Sequence, residues 1–324
     1  MTSPKLEIVS VNVSEERGTA KQPAESVVLD ARGVAGDSHA GLWHRQVSLL
    51  SEESITRFSE RTGMSLGPGD FGENLTVRGL HCGGVGLLDR FAIGEAELEV
   101  TQIGKECHGQ GCAIFQEVGE CVMPDMGIFT RVIRGGPVRP GDPVVFHPKI
   151  WRFRVITLSD RAFHGEYEDR SGPRVRELIE SFVETSQWRA EFEAVLLSDD
   201  PEAFREELQS AREAGVDVVF STGGTGVSPR DLAPETVTAF CDRLVPGLPE
   251  ALRAKYGATN PNAWLSRAVV GLAGTMAVYT LPGSVRAVEE YLEEIFVTLE
   301  HLLLMVHGID AHSRPPAYPP QHDQ

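Results

Sequence analysis

Val218–Glu235 reads VVFSTGGTGVSPRDLAPE, and this stretch decides the architecture of at least the second half of the chain. It begins with the apolar β-formers Val218, Val219 and Phe220, the pattern of a buried strand. It then breaks into Thr222-Gly223-Gly224-Thr225-Gly226, a loop with three glycines in five positions. Pro234-Glu235 opens an apolar-periodic run through Val237 and Phe240, which predicts a helix. Strand, glycine loop and helix in that order bring backbone N–H groups together where an anion can bind. The Thr222 and Thr225 hydroxyls and the pair Arg230-Asp231 lie close by in sequence. A Walker loop would carry Lys-Ser/Thr after the glycines, whereas Val227-Ser228-Pro229 follows here, and no G-x-G-x-x-G turn can be read. A tight turn without a ligand is the competing reading of the glycines alone.

Outward from this loop the periodicity is that of alternating strands and helices. Phe153–Leu158 is an apolar strand; Val175, Leu178, Ile179, Phe182 and Val183 mark one face of a helix, with Pro173 in its first turn and Ser171 or Gly172 as its cap. Ala194–Leu197 is a strand, and Asp200-Pro201 opens a helix that buries Phe204, Leu208 and Ala211 and ends at Gly215. Met276–Leu281 is a further strand, followed at Pro282-Gly283-Ser284 by a long helix to about Val306. The expectation is an α/β three-layer domain whose mostly parallel sheet is covered on both faces. Ligands in such sheets bind beyond the carboxyl ends of the strands. Those ends carry Ser159-Asp160, Ser198-Asp199-Asp200, Thr222–Gly226 and Pro282-Gly283-Ser284, which makes one polar rim suited to phosphates and a metal.

The string TGGTG-x3-RD-x2-PE resembles the signature of the molybdopterin adenylyltransferase family, which also includes the related domain of molybdenum insertases. Asp160 with Asp169-Arg170-Ser171-Gly172 resembles that family's first conserved segment, and the likeness spans about residues 154–309. The resemblance implies a molybdopterin-binding fold that transfers AMP from ATP to the phosphate of molybdopterin and releases pyrophosphate. It makes Asp199 and Asp231 the catalytic carboxylates, holding Mg²⁺ through hard oxygens. Thr222, Gly223, Gly224, Thr225 and Gly226 would then cradle phosphate, with Asp160, Ser171, Gly172, Pro282, Gly283 and Ser284 completing the substrate site. Ser284 can also cap the last helix, and Asp200 fits an N-cap better than a ligand role. The family implies a homotrimer. A non-catalytic molybdopterin-binding scaffold is the alternative, against which the two extra carboxylates argue.

The first half reads differently. Leu6–Val13, Ala96–Thr101 and Pro143–Phe146 have the pattern of short strands, with one short helix near Glu52–Glu60, which predicts a β-barrel or sandwich. Three clusters carry candidate chemistry: Gly36-Asp37-Ser38-His39-Ala40-Gly41 with Arg45–Leu50, Pro68–Thr76, and Lys105-Glu106-Cys107-His108 with Cys112 and Cys121. Together they resemble the MOSC domain, a β-barrel named after the C-terminal domain of molybdenum cofactor sulfurases, over roughly residues 6–146. The resemblance implies a barrel that binds a pterin cofactor or carries sulfur on Cys107, with His39 in its pocket. Lys105 and His108 can favour the Cys107 thiolate, whereas Glu106 replaces the family's usual proline and opposes it. Cys107 as a buried thiol, and a metal site of Cys107, His108, Cys112 and Cys121, are the other readings.

Domain limits follow at 1–148 and 149–312, with a Pro-rich disordered tail over 313–324. A length of 324 residues, 41% hydrophobic and 24% charged, fits two soluble globular domains. A net charge of −17 argues against nucleic acid and anionic membranes as partners, and the resemblance implies molybdopterin, ATP and other cofactor-assembly proteins. The start, MTSPKLEIVS, lacks the pattern of a signal peptide, and five cysteines do not look like a disulfide framework, so a reducing cytoplasm is expected.

Overall fold

Alternating apolar positions in the first half close a β-barrel. The computed structural model describes residues 5–17, 19–105, 120–186 and 188–309, which form two compact units divided between Lys149 and Ile150. The first unit contains β1 (Leu6–Val13), β2 (Gln22–Ala24), β3 (Val27–Asp30), β4 (Gly33–Val34), β5 (Val47–Ser51), α1 (Glu52–Thr62) and β6 (Leu75–Arg78). It continues through β7 (Arg90–Ile93), β8 (Ala96–Ile103), α2 (Met123–Met126), β9 (Ile128–Arg134), β10 (Gly136–Val138) and β11 (Pro143–His147). The order β11-β7-β8-β9-β5-β6-β1 is closed by antiparallel pairing of β1 with β11, Leu6 opposite Val144, giving a seven-stranded barrel. β5 and β6 run parallel, with α1 between them in sequence; Ser51 caps this helix by accepting from the Ser54 N–H. Ile8, Val11, Leu49, Leu75, Phe91 and Leu98 are fully buried in the barrel core.

β8 departs from simple alternation. Glu99 and Thr101 are buried along with Leu98 and Val100. Glu99 is reconciled to burial by Arg90 and Arg131, whose guanidinium groups reach its carboxylate at 2.8 and 2.6 Å. A buried carboxylate held by two arginines is a paired charge rather than a core defect.

The second unit comprises β12 (Trp151–Leu158), α3 (Asp160–Phe163), α4 (Ser171–Thr185), β13 (Ala190–Leu197), α5 (Pro201–Glu213), β14 (Val218–Thr222), α6 (Ala233–Phe240) and β15 (Arg243–Leu244). After these come α7 (Gly247–Gly257), β16 (Val270–Ala273), β17 (Met276–Leu281) and α8 (Val285–Val306). The six-stranded sheet has the order β13-β12-β14-β17-β16-β15. The first four strands are parallel, and β16 pairs antiparallel with both β17 and β15. Every residue of β14 and β17 is buried, as expected of strands covered on both faces. Ile156, Val219 and Val278 pack beneath α5 and α6. On the opposite face Phe220 stacks on Tyr279 at 5.0 Å, and α4 meets α8 through Phe182 and Phe296 at 4.5 Å. No helix among the described residues is long and apolar enough to cross a membrane.

Two local expectations change. The helix at 171–185 begins at Ser171, but neither Ser171 nor Gly172 caps it: Asp169, two residues earlier, accepts from both their N–H groups. The strand at 190–197 is twice as long as its apolar pattern suggests, because it is an edge strand whose Glu191 and Glu193 face Arg152 and Arg154 of β12. Ion pairing hid its outer half from a hydrophobicity reading.

Candidate functional site

Register places the four carboxyl ends together. Leu158 pairs with Leu197, Thr157 with Thr222, and Thr222 with Leu281, so the chain leaves β12, β13, β14 and β17 at one edge of the sheet. At β12 and β13 the exits lock to each other: the Asp160 N–H donates to Asp199 Oδ2 at 3.2 Å, and the Asp199 N–H donates to Asp160 Oδ1 at 2.9 Å. This exchange holds two half-buried carboxylates side by side. Arg230, largely exposed, reaches Asp160 Oδ2 at 3.5 Å from the far end of the glycine loop. A shallow cleft runs between Leu158, Asp199, Phe204, Gly224, Arg230 and Ala233.

The glycines of the loop are there for close backbone approach. Gly223 has φ +104°, and a Cβ on it would lie 2.2 Å from the Leu158 carbonyl oxygen. Its N–H donates to Leu281 O at 3.1 Å, and a Cβ on Gly283 would lie 3.4 Å from the Gly223 Cα. The loop therefore threads between the ends of β12 and β17, and Pro282-Gly283-Ser284 lies against it. Thr222 is fully buried and donates its hydroxyl to Pro282 O at 2.9 Å, which makes it a brace between the two loops. Ser284 is exposed and caps α8 by accepting from the Ala287 N–H. Asp200 caps α5 by accepting from the Glu202 N–H at 3.0 Å.

Two expected site groups are engaged otherwise. Ser171 and Gly172 give their N–H groups to Asp169 Oδ1, and the Thr157 hydroxyl donates to Asp169 Oδ2 at 2.7 Å. The amino end of α4 thus already holds an anion, and these residues are not open to phosphate. Asp231 accepts the Ser228 N–H on Oδ2 at 2.8 Å, and that oxygen lies 2.7 Å from where a Gly226 Cβ would sit. Its Oδ1, like Asp199 Oδ1, accepts no hydrogen bond among the described residues. No cluster of three or more His, Cys, Asp or Glu side chains among the described residues is arranged to hold an ion. A single carboxylate oxygen on each of Asp199 and Asp231 still suits a hard cation that brings its other ligands on a nucleotide.

Sequence reasoning gave no role to Arg267. It lies outside the glycine signature, yet it contacts the loop at several points. Its one sequence signal is a lone cation, Ser266-Arg267-Ala268, ahead of an apolar hairpin.

In the barrel unit a polar cluster joins buried Lys21 and Asp37 to partly exposed His39. Lys21 is 2% exposed and pairs with Asp37. His39 Nδ1 lies 3.3 Å from Lys21 Nζ and 3.4 Å from Asp37 Oδ1. Burial alone would raise the Asp37 pKa, but hydrogen bonds from His39 and Lys21 hold its carboxyl well below the usual range. Burial pushes the Lys21 amine down, and Asp37 opposes that shift. Arg45 stacks near Trp43 and Phe129, at 4.9 and 5.9 Å from the ring centroids. Cys107, His108 and Cys112 lie outside the described residues, as does Ser313–Gln324; Cys121 is half-buried beside the α1–α2 core.

Glu73 is fully buried in the same region. Its Oε1 accepts from the Gly69 N–H and the Thr76 hydroxyl, both at 2.7 Å, while Oε2 has no partner among the described residues. Burial pushes its carboxyl above the ordinary range despite those hydrogen bonds. A carboxyl whose folded pKa is raised gives full stability below its unfolded value and loses it as pH rises through the folded value. Glu73→Gln is therefore expected to stabilise the barrel increasingly relative to wild type as pH rises above the ordinary carboxylate range. Urea midpoints measured across pH check this; a difference that does not change with pH would contradict it.

Family models match both units: "Probable molybdopterin binding domain" over residues 154–301 and "MOSC domain" over residues 36–145. Over 163 residues the chain is 35% identical to a molybdopterin adenylyltransferase of Pyrococcus furiosus, covering 48% of this chain and 92% of that one. Over 155 residues it is 30% identical to a molybdopterin adenylyltransferase of Helicobacter pylori, covering 48% and 86%. It is also 36% identical over 156 residues to a molybdenum cofactor biosynthesis bifunctional protein of Synechococcus elongatus, covering 48% of this chain and only 47% of that one.

Proposed function

The second half of this chain belongs to the molybdopterin adenylyltransferase family and the first half carries a MOSC domain, and from that premise we propose that the chain adenylylates molybdopterin with ATP and Mg²⁺. The observation that carries this reading is the single rim where the Asp160–Asp199 exchange, the glycine loop and the Pro282–Ser284 turn meet. An oxygen of the molybdopterin phosphate attacks the α-phosphorus of ATP; the new P–O bond forms as the α–β bridging bond breaks and pyrophosphate leaves. Bringing two anions together makes positioning and charge neutralisation the main work of the site. Asp199, with Asp231, would hold Mg²⁺, which supplies that neutralisation when bound. The N–H groups of Gly224, Thr225 and Gly226 hold phosphate, while Thr222 and Gly223 fix the loop between the strand ends. Ser284 and Gly283 flank the second phosphate at the amino end of α8.

The barrel half is read as a module that binds a pterin cofactor or handles sulfur, on its MOSC match and its buried Lys21–Asp37 pair beside partly exposed His39. Each unit acts as its own domain, the adenylyltransferase unit assembles as a trimer, and other cofactor-assembly proteins deliver or accept molybdopterin. The test is the reaction itself: purified chain, ATP, Mg²⁺ and molybdopterin should yield adenylylated molybdopterin and pyrophosphate in equal amounts. Molybdopterin binding by folded protein without AMP transfer would replace the enzyme with a carrier.

A further inference from the structure

A loop of glycines has many conformations of similar energy. Only those that point N–H groups, not carbonyls, at the ligand will bind an anion. Here one side chain selects among them. The Arg267 backbone N–H donates to Thr225 O at 2.9 Å, and from the side chain Nε donates to Gly226 O at 2.7 Å. Its two terminal nitrogens reach Asp231 O and the Glu235 carboxylate. One residue thus holds the end of the glycine run, the Arg230-Asp231 turn and the first turn of α6. Arg267 is itself seated: Arg253 on α7 donates to the Ser266 and Ala268 carbonyls on either side of it, at 3.3 Å each.

We infer that Arg267 is a positioning residue that keeps the Thr222–Asp231 loop in its anion-binding form by taking up the loop's carbonyls. A guanidinium has five donors in a fixed fork and no acceptor, so it draws Gly226 O and Asp231 O to itself and leaves the N–H groups for phosphate. Its charge also stands behind the loop, where it favours an anion. Glu235 orients the fork, and the hydrogen bond from Arg267 holds that carboxylate below its ordinary pKa. Among the described residues Arg267 makes no hydrogen bond to the Asp199 or Asp160 side chains, so it acts through the loop. The inference rests on the adenylyltransferase reading for its ligand, but not for its loop geometry.

The experiment compares Arg267→Met and Arg267→Lys in the full chain by hydrogen exchange, thermal melting and AMP-transfer kinetics. Arg267→Met should exchange the amides of residues 223–231 at least about tenfold faster, with those of the barrel unchanged. The KM for one of the two phosphate substrates should rise about 30-fold, with kcat within about threefold, since ordered ground-state binding is what is lost. Arg267→Lys should recover part of both effects, because an ammonium reaches one or two of the guanidinium's three acceptors but cannot bridge all three. Unchanged loop exchange and KM in the Met variant would overturn the inference. So would equal losses in Met and Lys that follow a fallen melting point, with kcat and KM both affected. If wild type transfers no AMP while loop exchange still rises in Met and partly recovers in Lys, the functional reading falls and the clamp stands.

Discussion

Asp199→Asn is expected to lower kcat for AMP transfer by about 10³-fold while leaving the melting temperature within a few degrees of wild type. The asparagine carbonyl can still accept the Asp160 N–H, and the Asp199 backbone N–H still donates to Asp160 Oδ1, so the lock between the β12 and β13 ends survives. What disappears is the charge, and with it one hard ligand for the cation that offsets the approach of two phosphates. Asp231→Ala is a less clean comparison, because it also strips the Ser228 N–H of its acceptor and loosens the turn. Steady-state rates at saturating ATP and molybdopterin, with circular dichroism for the fold, check the prediction. Wild-type kcat in Asp199→Asn would remove Asp199 from the chemistry.

Gly223→Ala should have the largest effect on stability in the second unit. The residue combines φ +104° with a Cβ position 2.2 Å from the Leu158 carbonyl oxygen, and backbone cannot yield there without parting β12 from β14. Left-handed strain and overpacking together should cost about 3 kcal/mol or more. For a domain of this size that lowers Tm by roughly 6–12 °C. Gly247→Ala, at the first residue of α7, is the matched control: a Cβ there meets nothing within 4 Å and its φ is not positive. It should leave Tm unchanged or raise it slightly, the gain in stability being at most about 1 kcal/mol. Equal melting of the two variants would mean the loop relaxes freely and the threading of Gly223 between strand ends carries little energy.

The four parallel strands and the helices α4, α5, α6 and α8 of the second unit were legible because each carries its own periodicity and its own stop, as with Asp200-Pro201 and Gly215 for α5. Helices α3 and α7 and the antiparallel strands β15 and β16 were not read. The rim was legible, since parallel strands must expose their carboxyl ends together. Contacts made at long range were not legible. Asp169 fills the amino end of α4 only because Thr157 on β12 turns its hydroxyl to the same carboxylate. The Lys21–Asp37 pair joins the Gly36–Gly41 cluster to a residue in a segment that carries no signal of its own, and Arg267 meets the glycine loop across 41 residues of sequence. A periodic pattern reports which face of an element is buried; it does not report which charged side chain will cross to another segment.

The closing pair of the barrel has a consequence for the order of events on the ribosome. Leu6 of the first strand sits opposite Val144 of the last, so the cylinder is sealed by residues from the two ends of the unit. Joining such distant segments carries a loop-closure entropy that grows slowly with length but is owed before any contact repays it. Until β11 has left the exit tunnel, β7 and the Leu6–Glu7 end of β1 are raw sheet edges with unpaired backbone groups, open to a neighbouring nascent chain. The interval between synthesis of β1 and of β11 is therefore the time when this protein is most exposed to aggregation, and slowing translation across residues 80–140 should lower the yield of soluble chain.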